Sequence, residues 1–215
     1  MAAWAYGCAQ PFVGGYFGGG FQNTNFTVNP PFNVNSSGFL GGGFGGVLLP
    51  VPNTNVLIGP RLGIQGSNIT GSITSPAASP AFNYSVTTNW TAYEEALIKV
   101  QPGWTGEQAD LYSARINNVG LGFTGSVGVA ESGTSVKGTS GTFSVTDNAV
   151  RTGITFTAGF TVPVYSSIDL FAQYRGIQWI SNVAIPGAVP IGSYTNEVDL
   201  GLQFRFSSAP PPPPQ

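Results

Sequence analysis

Charge is what this 215-residue chain has least of: Asp, Glu, Lys and Arg make up 7% of it, against about 25% in a typical soluble domain. A water-facing surface so poor in charge would be poorly soluble. Histidine is absent altogether, which removes His-assisted nucleophilic catalysis and His metal ligation. The single cysteine, Cys8, excludes an intramolecular disulfide and a cysteine-cluster metal site. No apolar run approaches the roughly 18–20 residues of a membrane-spanning helix. A net charge of −2 leaves no basic footprint for nucleic acid. The glycine-rich runs lack the Gly-Lys-Ser/Thr ending of a phosphate loop. Glu94 and Glu95 are adjacent, so on a strand they point to opposite faces and do not converge for acid–base work. Neither an enzyme nor a cofactor nor a bound metal is expected.

What the chain does have is apolar bulk and small polar residues. Hydrophobic residues make up 41%, with 15 Phe, 8 Tyr and 4 Trp beside 31 Gly, which is a poor fit to disorder. Period-2 alternation recurs, and helical periodicity is nearly absent. Val198, Leu200, Leu202, Phe204 and Phe206 alternate with Glu197, Asp199, Gly201, Gln203 and Arg205. Ile168, Leu170, Ala172 and Tyr174 alternate with Asp169, Phe171, Gln173 and Arg175. The same pattern runs through 150–162, 119–129 and 56–65, and more weakly through 95–101. Two glycine-rich runs, 12–27 and 38–49, complete a count of eight strands; in the first, both parities carry aromatics and the faces cannot be assigned. Open sheet edges cannot be satisfied in hydrocarbon, so a membrane sheet must close. The expected fold is therefore all-β: an eight-stranded antiparallel up-and-down transmembrane β-barrel.

The alternation does not give its own sense. A soluble, lipocalin-like ligand-binding barrel would turn the large residues inward. One side is too rich in Gly, Thr and Ser to cover a water-facing exterior with so little charge, which favours lipid outside and a polar lumen. Connections are expected near 28–37, 50–55, 68–92, 102–110, 131–147, 163–167 and 182–193, long and short in turn, as periplasmic turns and extracellular loops would be. Pro60 within a strand is tolerable at a bulge or weak ladder position, and Asn117-Asn118 is a candidate bulge. Residues 1–11 form an N-terminal remnant or extension, 12–206 the barrel and 207–215 a proline-rich, extended tail. The opening seven residues resemble the tail of a signal peptide without its basic and apolar parts. Gly7-Cys8 resembles a lipoprotein cleavage site, but Tyr6 and the missing apolar run argue against lipidation.

The run Phe12-Val13-Gly14-Gly15-Tyr16-Phe17-Gly18-Gly19, with 39–46 (FLGGGFGG), resembles the opening hairpin of small outer-membrane immunogenic proteins, which are porin-like, OmpA-like eight-stranded barrels. Residues 150–179 look like their sixth and seventh strands and 197–206 like their closing strand. The resemblance implies integral placement in the bacterial outer membrane, among its lipid and lipopolysaccharide. It also implies a structural or surface-antigen role with at most a narrow passive pore, and it supplies no catalytic residues. Family barrels end at the last aromatic, here Phe206, which the barrel-assembly machinery reads in the C-terminal strand. Nine further residues follow here, resembling the proline-rich hinge that leads OmpA-like barrels toward peptidoglycan.

Nine strand charges share the polar parity: Arg61, Glu95, Lys99, Arg151, Asp169, Arg175, Glu197, Asp199 and Arg205, joined by Arg115 if the bulge holds. An Arg or Lys facing lipid at mid-bilayer costs about 2–4 kcal/mol, so this segregation suits a lumenal charge network. One antiparallel register, centred on Gly187, opposes Asp169 to Arg205 and Arg175 to Asp199 at once, and two lumenal salt bridges are expected from it. The network reads either as a charged constriction that selects ions or as a satisfied polar core; an eight-stranded barrel is only wide enough to be filled by side chains, which favours the core. Glu94 is expected at a strand end in the polar interface. Phe12, Tyr16, Tyr93, Trp104, Tyr165 and Tyr194 are candidates for an interfacial girdle, and Trp179 for lumenal packing. Asn25, Asn35, Asn68, Asn83 and Asn89 each begin an Asn-x-Ser/Thr sequon, expected by chance in a chain this rich in Asn and Thr.

Overall fold

Alternate side chains of a strand point to opposite faces, so each alternating segment offers one face to a lumen and one to the surroundings. The computed structural model describes residues 9–27, 31–52, 54–75, 82–100, 121–140, 142–165, 167–180 and 189–206. The strands are β1 (Gln10–Thr27), β2 (Phe32–Pro50), β3 (Val56–Ser75), β4 (Phe82–Val100), β5 (Gly122–Ser140), β6 (Phe143–Tyr165), β7 (Ile168–Trp179) and β8 (Val189–Arg205). Each pairs antiparallel with the next, and β1 pairs with β8, so the sheet closes without an edge.

The barrel is inside-out relative to a water-soluble one. Phe17, Phe21, Phe39, Leu62, Ile64, Val127, Phe160, Val198 and Leu200 are exposed on the outer wall, whereas Arg61, Glu95, Lys99, Arg151, Asp169, Arg175, Glu197 and Asp199 are buried within. This sense overturns the lipocalin-like alternative, which needs the large residues inside. A largely apolar wall around a charged interior is stable only with hydrocarbon outside.

The glycine-rich hairpin resolves into faces that its sequence leaves ambiguous. Phe12, Tyr16, Leu40, Phe44 and Leu48 turn inward and are buried. Both parities carry aromatics because inward rings lie over inward glycines. A Cβ on Gly14 would stand 2.3 Å from the Phe44 ring, and one on Gly63 would stand 2.2 Å from the Tyr93 ring. Phe44 also meets Phe171 edge-on, with centroids 5.4 Å apart.

Several boundaries depart from the sequence expectation. The long loops expected at 68–92 and 131–147 are mostly strand: β3 and β4 leave only 76–81 between them, and β5 and β6 only 141–142. Strand β2 starts at Phe32 and β8 at Val189, which shortens the other two expected loops. These segments extend the barrel past its apolar belt, so both the solvent face and much of the lumen face are Ser, Thr, Asn or Gly, and the hydrophobic alternation fades. The connection expected at 102–110, with Asn117-Asn118 and Arg115, lies outside the described residues, between the end of β4 at Val100 and the start of β5 at Gly122. Pro60 stays opposite Ala96 of β4, but pairing with β2 skips Gly59 and Pro60, so the missing N–H falls where the ladder is interrupted. An irregularity between Thr88 and Trp90 makes Asn89 an extra residue, which returns Thr91, Tyr93 and Glu95 to the lumen.

Candidate functional site: the lumenal charge network

All nine predicted charges project into the barrel, in layers set by their positions along the strands. Nearest the 51–55 and 166–167 turns, Asp169 accepts from Lys99 Nζ at 2.9 Å and pairs with Arg205 Nη2 at 3.0 Å. The middle layer is built on Glu95. One of its carboxylate oxygens accepts from Arg61, which lies directly opposite on β3. The other accepts from Thr155 Oγ1 at 3.0 Å and lies 3.6 Å from Arg175 Nε. Arg175 also reaches Glu197 at 3.4 Å and Asp199 at 3.9 Å, and its guanidinium sits 3.8 Å from the centroid of the Tyr93 ring.

Neutral groups take up part of the remaining hydrogen-bonding capacity, while Arg175 Nε and Nη2 and Asp199 Oδ1 are buried without a hydrogen bond among the described residues. Gln65 donates to Glu197 at 2.7 Å and accepts from the Tyr16 hydroxyl at 2.7 Å. Gln173 donates to Asp199 at 3.0 Å and accepts from Arg61 at 3.1 Å. Above lies Arg151, which has no carboxylate within salt-bridge distance among the described residues. It donates to Thr134, Ser193, Gln22 and Thr88 at 3.0–3.4 Å and stacks 4.6 Å over the Trp179 ring. Trp179 in turn donates to Thr195 at 2.8 Å, so its lumenal role is packing and orientation. Beyond Arg151 an apolar cluster of Phe26, Val34, Val86 and Val136 occupies the lumen, with Asp147 opposite Val136 on the same face.

The layers nearly balance in charge. The middle layer sets two guanidiniums against three carboxylates, and the layers on either side each carry one surplus cation. Among the described residues no group of His, Cys, Asp and Glu is placed to hold a metal ion. Arg151 aside, the arrangement stores buried charge in pairs.

Both salt bridges expected between β7 and β8 are present, but the register is displaced by two residues. Asp169 faces Gln203 and Arg175 faces Glu197, so the Asp169–Arg205 and Arg175–Asp199 pairs are diagonal and Arg175 is nearer to Glu197. Sequence reasoning missed the directly opposed Arg61–Glu95 pair because it placed a long loop over 68–92. A hairpin centred between Pro76 and Pro80 would have opposed the two. It also missed Tyr16, Tyr93, Gln65 and Gln173, whose lack of charge gave no signal.

Glu94 lies in the middle of β4, exposed on the outer wall opposite Leu62 and Val129, rather than at a strand end. The girdle expectation fails for Phe12, Tyr16 and Tyr93, which are buried in the lumen. Tyr165 is exposed at the end of β6, Tyr194 shares a hydrogen bond with Tyr174 on the outer wall, and Trp104 lies outside the described residues.

No family model matches the chain, and no curated protein does. Solved structures with a similar outline include Neisserial surface protein A, at 11% identity and a TM-score of 0.42, covering 91% of this chain and 97% of that one. The outer membrane protein OprG from Pseudomonas aeruginosa is 9% identical with a TM-score of 0.46, covering 94% and 98%. The attachment invasion locus protein Ail of Yersinia pestis is 12% identical with a TM-score of 0.41, covering 91% and 99%. The fold assigned to this chain stands on its own closed register and inside-out faces.

Proposed function

We propose that this chain is an integral β-barrel of the bacterial outer membrane with a structural or surface-antigen role and a sealed lumen. The observation that carries the reading is the filled interior: Arg175 and Asp199 are 0% exposed, and an apolar layer of Phe26, Val34, Val86 and Val136 follows the charged ones. A conducting pore needs a continuous wet path, and ion pairs locked across an eight-stranded lumen obstruct one. Contacts outside the membrane fall to the outer faces of the extended hairpins rather than to long loops. The surrounding lipid and lipopolysaccharide are the proposed neighbours of the wall. The outward row Val198, Leu200, Leu202, Phe204 and Phe206 on the closing strand is what assembly machinery would read, and the proline tail would lead toward peptidoglycan. No catalytic role is proposed, because Glu95, Glu197, Asp199 and Asp169 are each engaged by a cation.

Planar-bilayer recording of the refolded protein separates this reading from the narrow passive channel. A flat baseline at both polarities is expected. Steady unitary openings would overturn the sealed-lumen reading and favour the channel.

A further inference from the structure

The chain has seven Lys and Arg residues in all. Of those described, Arg61, Lys99, Arg151, Arg175 and Arg205 turn into the lumen, which leaves Lys137 as the one described cation on the outer wall. Phosphate is held by charge-assisted bonds from cations. The outer wall is therefore badly equipped for phosphate.

It is well equipped for something else. Past the apolar belt, the outward faces of β1 to β6 carry amides and hydroxyls linked across neighbouring strands. Asn23 donates to Asn35 at 2.6 Å, and Thr70 bonds Thr87 at 3.2 Å. Asn89 donates to Ser135 at 3.2 Å, and Ser135 to Asn148 at 2.6 Å. Each amide has two donors and a carbonyl acceptor, and each link uses only part of that capacity. The remainder faces outward from exposed side chains.

Height decides what lies beside this collar. On β3 the outward apolar row ends at Ile64, while the polar row continues through Asn68, Thr70, Ser72 and Thr74. At about 3.3 Å per residue and a tilt near 40°, that carries the collar roughly 20–25 Å past the belt. The headgroup layer of a phospholipid leaflet adds only about 5–8 Å. A glycolipid oligosaccharide is the leaflet component that reaches higher, and its hydroxyls each donate and accept, as the collar does.

We propose that this amide and hydroxyl collar, in which Glu131 and Lys137 are the charges among the described residues, docks the neutral sugars of the glycolipid surrounding the barrel, independently of phosphate. The proposal rests on the outer-membrane reading above. The test is side-chain amide NMR of Asn35, Asn68, Asn89 and Asn148 in lipid nanodiscs of three compositions: phospholipid alone, phospholipid with lipid A, and phospholipid with dephosphorylated rough lipopolysaccharide. Shifts are expected only with the sugar-bearing, phosphate-free glycolipid, to persist in high salt with a chelator present, and to be lost at Asn35 and Asn68 least when Asn89 and Asn148 are both replaced by Ala. No shift with that glycolipid, equal shifts with lipid A, or shifts abolished by salt would overturn the proposal. Heat-modifiable gel mobility of each sample reports folding separately: a barrel that is not heat-modifiable fails the membrane reading, whereas a folded barrel without shifts fails only the collar.

Discussion

At the scale of single residues, Arg175 is the side chain on which the interior most depends. It stands against Glu95, Glu197 and Asp199 at 3.4–3.9 Å and sits over the Tyr93 ring. Removing one partner of a buried ionic cluster leaves charge uncompensated, which costs about 3–5 kcal/mol. Arg175→Met is therefore expected to lower unfolding stability by about that much in urea titrations of vesicle-embedded protein; a loss below about 1 kcal/mol would contradict the network's importance. Two glycines on one strand give a sharper contrast. A Cβ on Gly63 would strike the Tyr93 ring, whereas one on Gly66 meets nothing within 4 Å. Gly63→Ala is expected to destabilise by about 1–3 kcal/mol through overpacking, and Gly66→Ala to be neutral or stabilising by up to about 1 kcal/mol. Equal effects in the same titration would mean that the ring does not rest on the Gly63 backbone.

The sequons have a residue-scale explanation too. In Asn25-Phe26-Thr27, Asn68-Ile69-Thr70 and Asn83-Tyr84-Ser85 the Asn is exposed and the middle residue lies inward. Polar-out, apolar-in alternation on an extended hairpin writes Asn-x-Thr of itself, so these motifs follow from strand period rather than from chance.

At the scale of elements, the β7–β8 register is the finest claim. Ala172 faces Leu200 across the outer wall. Cysteines at 172 and 200 are expected to cross-link readily under mild oxidation, and cysteines at 172 and 202 poorly. The reverse order would restore the register centred on Gly187. The charge parity of these strands was legible because a charge facing hydrocarbon is costly. The register was legible only to within two residues, because Arg and Asp are long and adaptable enough to pair diagonally as well as directly. The faces of β1 and β2 were not legible, since glycines make room for inward rings such as Phe44 and Tyr16. The upper halves of β3 to β6 looked like loops because water outside and hydroxyls inside remove the contrast on which periodicity depends.

At the scale of the whole molecule, one composition has two consequences. Few charges are available, and most of the described ones are spent inside, eight of them in mutual pairs. The wall is then free to be apolar along most of the belt and sparsely charged above it, where Glu131 and Lys137 are exposed. The same segregation fills the lumen with a packed polar core. Glu94, on the outer wall between Leu62 and Val129, and Glu131 are the described strand carboxylates that stand outside this interior.

The inside-out wall is the central claim, and electrophoretic mobility after refolding into lipid vesicles tests it most directly. The unheated protein is expected to partition wholly with the vesicles and to migrate as a compact form that shifts on boiling. A protein that stays monomeric and soluble in detergent-free buffer, with the same mobility before and after boiling, would contradict it.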